Sequence, residues 1–146
     1  MLPRFEELNN AERESISSSI DSARELASSY SPADVSRPLD AEVLDRTFAA
    51  WLAAGEKDAT RINHVLNSIG CAFGQLLVEA AGFEWVIASD EYGTDLALLA
   101  LPGRGDVLVY PTNMIAKRWE SKETEFLVPL FKFLTHKVRE LAAKGP

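Results

Sequence analysis

Between Asp58 and Gly82, the residues Ile62, Val65, Leu66, Ile69, Phe73, Leu76, Leu77 and Ala80 recur at intervals of three and four, and from Phe83 onward the apolar period falls to two. That change of period dictates one long amphipathic helix running directly into a sheet. Asp58 is a capping residue and Gly82 a stop, so the helix is expected over about 58–81. Gly70 and Gly74 stand four apart on the flank of its stripe. Each costs an exposed helix about 1 kcal/mol against alanine, so a neighbouring element must come close to the backbone there.

The segments "FEWVIAS", "DLALLAL" and "DVLVYP" are short, rich in strand formers and separated by the turn sequences "DEYGT" and "PGRG". This spacing predicts a three-stranded antiparallel β-meander over about 83–110, packed against the central helix. The middle segment is apolar on both faces, with Leu96 and Leu98 on one and Ala97, Leu99 and Leu101 on the other, as a strand covered twice requires. The fold class is therefore α+β, with further helices before and after the meander.

The first of these helices is expected over 11–29, capped by Asn10, with a thin stripe of Ile16, Ile20, Ala23 and Ala27 beside the run Ser17, Ser18, Ser19. Together with the proline-containing linker "SYSPADVSRP" it makes residues 1–38 peripheral, leaving 39–146 as the α+β core of a single domain 1–146. Leu39, Asp40 and Leu44 have the spacing of a hydrophobic staple around a cap, and Leu44, Phe48, Trp51 and Leu52 continue that helix to Gly55. Beyond the meander, Pro111 suits the first turn of a short helix carrying Met114, Ile115 and Trp119. A last helix carries Leu127, Leu130, Phe131, Leu134, Val138 and Leu141, in which Pro129 either belongs to the first turn or kinks it.

Of the 146 residues, 47% are hydrophobic and 25% charged, the balance of a packed globular chain. Cys71 is the only cysteine, which excludes an intrachain disulfide and a cysteine-built zinc site. With no apolar run long enough for a signal core or a membrane span, the expected location is the cytoplasm, away from membranes. The net charge of −7 opposes nucleic-acid binding. It is unevenly spread: residues 1–103 carry 7 basic and 17 acidic side chains, and residues 104–146 carry 8 and 5.

No nucleophile elbow, phosphate loop, zinc-protease helix or dinucleotide fingerprint is present, and no cofactor is expected. His64 falls on the polar side of the long helix and His136 off the last stripe, so both read as solvated. Cys71 reads as a packed thiol, without a nearby group to lower its pKa. Asp90, Glu91 and Asp95 surround a turn and offer oxygen ligands to a divalent ion, but Gly93 makes plain turn chemistry the stronger reading.

The segment "YPTNMIAKRWE" sets Lys117 and Arg118 beside Trp119, which reads as a core anchor. Three readings of the cations stand. They are a solvated pair, or with Tyr110, Thr112 and Asn113 they form an anion or carboxylate site where the last strand enters a helix, or they bridge to Glu120, Glu123 or Glu125 and hold the final helix in place.

Over residues 68–123 the chain resembles a bacterial family known only as a domain of unknown function, numbered 3806, through "GCAFGQLL", the strand pair around Trp85 and "YGTDLAL", and "YPTNMIAKRWE". The resemblance implies that Gly70, Gly74, Trp85, Gly93, Pro111, Lys117 and Arg118 belong to a family pattern, and it supplies no activity and no catalytic residue. Two functional readings follow from the residues. One is a non-catalytic acidic binding protein, of the immunity or antitoxin kind, that masks the basic cleft of a toxin-like protein partner. The alternative is a small-molecule or anion-binding module, or an unrecognised enzyme, centred on Lys117 and Arg118.

Overall fold

The computed structural model describes residues 3–144. Its elements follow in the order β1 (Arg4–Glu6), α1 (Asn10–Tyr30), a 3-10 turn (Pro32–Asp34), α2 (Ala41–Ala54), α3 (Ala59–Ala81), β2 (Glu84–Asp90), β3 (Gly93–Ala100), β4 (Val107–Val109), α4 (Pro111–Ser121) and α5 (Leu127–Ala143). The fold is α+β. The sheet has four strands rather than the expected three, antiparallel throughout in the order β1-β2-β3-β4. The additional strand comes from the N-terminal segment, where Phe5 lies opposite Ala88. Three residues are too few to display a period, so pairing along β2 defines this strand.

Local rules explain most helix ends. Asp40 Oδ1 accepts from Val43 N–H at 2.9 Å to start α2, and Asp58 Oδ2 accepts from Arg61 N–H at 2.9 Å to start α3. Gly55 and Gly82, each at φ 71°, end them in the left-handed conformation that glycine adopts without strain. The cap of α1 is Asn9, one residue before the expected Asn10. Asn9 has Glu12 three positions on, and each side chain bonds the other's backbone N–H at 2.8 Å, a reciprocal box that Asn10 cannot make with Arg13.

The main core is built by α2, α3, α4, α5 and the inner face of the sheet, with Phe48, Trp51, Phe73, Leu98, Ile115 and Leu127 almost wholly buried. Phe48 meets Phe126 edge-on at 5.5 Å. The face of α1 opposite Ser17 and Ser18 adds Ala23 and Leu26 to this core, and Asn67 donates to Ser19 Oγ at 3.1 Å to tie α1 to α3. Val86, Ala88, Ala97 and Leu99 form a second cluster on the other sheet face, with Leu108 and Tyr110 against it. Among the described residues no helix is long and apolar enough to cross a membrane.

The two helix glycines serve different neighbours. A Cβ at Gly74 would sit 2.4 Å from Cη2 of Trp85, so this notch admits the sheet as expected. A Cβ at Gly70 would sit 2.9 Å from Cα of Thr112, so the other notch takes the first turn of α4 instead. Pro129 belongs to the first turn of α5, where a missing N–H breaks no helical bond.

Asp34 fixes the connection between α1 and α2. Its carboxylate receives Arg46 Nε at 2.8 Å and Nη2 at 3.0 Å, together with the Ser31 hydroxyl and, at 3.5 Å, Arg37. The Arg46 and Ser31 hydrogen bonds outweigh the cost of burial and hold its pKa down to about 2, against an ordinary 3.8. A lowered folded-state pKa stabilises above the ordinary value, and that contribution is lost as pH falls through the folded one. The expected result is that Asp34→Asn melts well below wild type at neutral pH and that the gap closes between about pH 4 and pH 2. Thermal melts across that window check it; a gap that stays constant would show that the ion pair contributes nothing to acid stability.

Candidate functional site

The five residues from 110 to 118 singled out by sequence are divided by the geometry of α4. Thr112 packs into the Gly70 notch and donates from Oγ1 to Asn67 Oδ1 at 3.2 Å, which fixes the start of α4 against α3. Lys117 and Arg118 are adjacent, hence about 100° apart around the helix, and they leave on different sides. Lys117 is exposed. Arg118 carries its guanidinium 5.4 Å from the ring centre of buried Phe126, with Nε 3.4 Å from Glu123 Oε2. Arg118 thus lies against the connection from α4 to α5, within ion-pair distance of Glu123, one of the three glutamates named for it, while its buried Nε makes no hydrogen bond among the described residues.

Tyr110, Asn113 and Lys117 do come together. With Leu108, Met114 and Phe133 they line a groove of about 640 Å³ between β4, α4 and α5. Phe133 is 61% exposed, so the groove carries a large apolar side chain in contact with water.

Tyr110 and Asn113 also form the wall of a second hollow, about 270 Å³, whose other sides include Asp90, Tyr92 and Asp95 from the β2–β3 hairpin. Asn113 Nδ2 donates to Asp95 Oδ2 at 3.3 Å, bridging helix and hairpin. Burial, then Asp90 and Asp95, push the Tyr110 hydroxyl pKa above its ordinary value. Tyr110 and Asn113 therefore face carboxylates, a setting that attracts cations on the hairpin side. Tyr92 stands at the hairpin tip with 90% of its surface exposed.

The hairpin acids make the turn that their sequence suggests. Asp90 Oδ1 accepts from Tyr92 N–H at 2.8 Å, and Gly93 follows at φ 141°. Among the described residues no group of three or more His, Cys, Asp or Glu side chains is placed to hold a metal ion. His64 is exposed, and His136 Nε2 lies 3.4 Å from Glu140 Oε2 one turn along α5. Cys71 is buried against Leu8 and Ile16, and burial raises its thiol pKa, the opposite of an activated nucleophile.

Sequence reasoning missed Phe133, which sits outside the stripe of α5 and reads in one dimension as an isolated surface aromatic. It also missed the meeting of Asn113 with Asp95 across 18 positions, for which only the pairing of β3 with β4 and the turn into α4 supply the geometry.

No curated protein and no solved structure matches the chain. The model of a family described as a domain of unknown function, DUF3806, matches residues 40–131, which take in α2 through the first turn of α5 and leave β1 and α1 outside. On that match, which spans well over half of its length, the chain belongs to the DUF3806 family.

Proposed function

We propose that this protein is a non-catalytic acidic binding protein whose partner is a basic protein, in the manner of an immunity protein or antitoxin covering a cationic cleft. The observation that carries the reading is the wall shared by Tyr110 and Asn113: it joins a hollow bearing Asp90 and Asp95 to an apolar groove bearing Phe133. Carboxylates beside exposed apolar and aromatic surface are the parts of a protein-recognition face, where the acids steer the encounter and the apolar groups hold the complex. The formal charge of −7 extends the same attraction over the molecule.

A photo-crosslinking residue at Tyr92, expressed in the native host, tests this. The expected product is a basic protein whose purified form associates with the chain about tenfold more slowly when Asp90→Asn and Asp95→Asn are combined, with the difference vanishing at high salt. A crosslinked partner without excess positive charge, or an association rate untouched by the double variant, overturns the reading.

A second reading is supported by the placement of Tyr110, Asn113 and Lys117 on one groove, which suits a small molecule with an apolar body and a carboxylate or phosphate on the lysine. It requires a thermal-shift response to such compounds that Lys117→Ala abolishes.

A further inference from the structure

The groove between β4, α4 and α5 is lined by Leu108, Met114, Leu130 and the exposed Phe133, and methionine in such a wall adapts its shape to an incoming side chain. Its end on the hairpin side decides what can fill it. Tyr110 and Asn113 belong to the groove and equally to the hollow of Asp90 and Asp95, so the two spaces adjoin across these two side chains.

Between Arg61 and Arg104 the chain has no lysine or arginine, and its acids there are Glu79, Glu84, Asp90, Glu91 and Asp95. Neither Asp90 nor Asp95 lies within ion-pair distance of a basic side chain among the described residues; their oxygens accept instead from Tyr92 N–H, Leu96 N–H and Asn113 Nδ2. An occupant of the groove therefore meets two uncompensated carboxylates at that end. A second copy of this chain would bring a net charge of −7 to them, whereas a basic segment is drawn in. The hollow, about 270 Å³, lies below the roughly 300–1,000 Å³ of small-molecule sites and suits a single side chain. Tyr92 and Tyr110 line it beside the acids. A flat guanidinium stacks on such a ring while its N–H groups fork towards carboxylate oxygens, and an ammonium offers only a point charge.

We infer that one segment of a basic protein partner fills both spaces, with an apolar side chain in the groove and an arginine in the hollow, the two anchors on either side of Tyr110 and Asn113. Side chains about 5–7 Å apart, two positions along a strand or one turn along a helix, straddle such a wall. The inference rests on the reading of this protein as the binder of a basic protein and adds the chemistry of the segment that is bound.

Blocked octapeptides of glycine and serine, carrying one leucine and one arginine two, three or four positions apart, are suitable probes, titrated into the full chain and followed by heteronuclear NMR. The expected result is a saturable movement of the Asn113 side-chain amide and of the backbone amides around Phe133 with at least one spacing. Lysine in place of the arginine should weaken that peptide about fivefold, and glycine in place of the leucine about tenfold. Asp90→Asn combined with Asp95→Asn should remove most of the affinity that the arginine confers and keep the effect of the leucine, and Phe133→Ser should do the reverse. Peptides that leave these signals in place, or that bind as well with lysine as with arginine, overturn the inference. Crosslinking at Tyr92 still decides separately whether the partner is basic, so the two failures are distinguishable. Signals that move on dilution of the protein alone identify a second copy as the occupant and overturn the inference as well.

Discussion

Asp45→Ala is expected to lower the melting temperature by about 10 °C. Asp45 belongs to α2, yet its carboxylate takes the first two backbone donors of α5, Leu127 N–H at 2.8 Å and Val128 N–H at 2.9 Å. The residue at the cap position itself, Phe126, has no side chain that can accept a hydrogen bond. Alanine leaves two donors without partners at a buried helix start, a loss of about 3 kcal/mol, and each kcal/mol moves the midpoint of a chain of this size by roughly 3–4 °C.

The pH dependence separates this residue from Asp34. Burial, the largest influence, raises the Asp45 pKa above 3.8 in spite of the two hydrogen bonds. An acid with a raised folded-state pKa disfavours the folded form once ionised, and that penalty lifts as pH falls through the folded value. The deficit of Asp45→Ala relative to wild type should therefore widen as pH falls from 7 towards 4, whereas that of Asp34→Asn closes at lower pH. Melting curves of both variants across this range check the opposite trends; a shift for Asp45→Ala below about 3 °C at neutral pH would mean that α5 finds another cap.

The second large effect is expected at Gly74. An alanine Cβ there would stand 2.4 Å and 2.7 Å from two carbons of the Trp85 ring and 3.1 Å from Leu98 Cδ1. The ring cannot swing freely, because Trp85 Nε1 donates to Gln75 one residue along α3. Overpacking of this kind costs about 1–3 kcal/mol, and only part is offset by the gain of about 1 kcal/mol in helix propensity. Gly74→Ala should lower the melting temperature by about 5 °C. The sign should reverse when the ring is shortened: on a Trp85→Leu background the same alanine meets no aromatic edge and should stabilise. Urea denaturation of the four proteins in this cycle checks the coupling; additive effects would show that the notch does not depend on Trp85.

These two residues also show what is legible in a chain of this kind. Gly74 announces itself, because a glycine on the flank of an otherwise faultless stripe has a local cost that demands a local cause. The same holds for Asp40, Asp58, Gly55 and Gly82, each of which acts within four residues of itself. Asp45 is illegible for the converse reason: its partners lie 82 and 83 positions away, and within α2 it is simply an acid between Leu44 and Arg46. Gly70 is half legible, since the need for a close neighbour is evident and its identity, α4 rather than the sheet, is not.

The candidate site follows the same division. Tyr110, Asn113 and Lys117 are close in sequence and share a groove, whereas the hairpin acids that give Tyr110 its negative surroundings arrive through strand pairing. Arg118 differs from Lys117 because the α4–α5 connection places Phe126 and Glu123 beside it, a circumstance one-dimensional reading foresees only as one option among three.

Both outermost strands of the sheet, β1 and β4, are three residues long, and Pro111 follows within two residues of the end of β4. A short border offers few unpaired amides for another chain to copy, and proline supplies none. In β1 the charged side chains of Arg4 and Glu6 flank Phe5 and would resist stacking on a second molecule. The longer flank of β2, by contrast, is covered over Ile87, Ala88 and Ser89 only while that short strand stays seated. The small N-terminal strand thus acts as a guard against polymerisation, and chains shortened past Glu6 should be more prone to form fibrils.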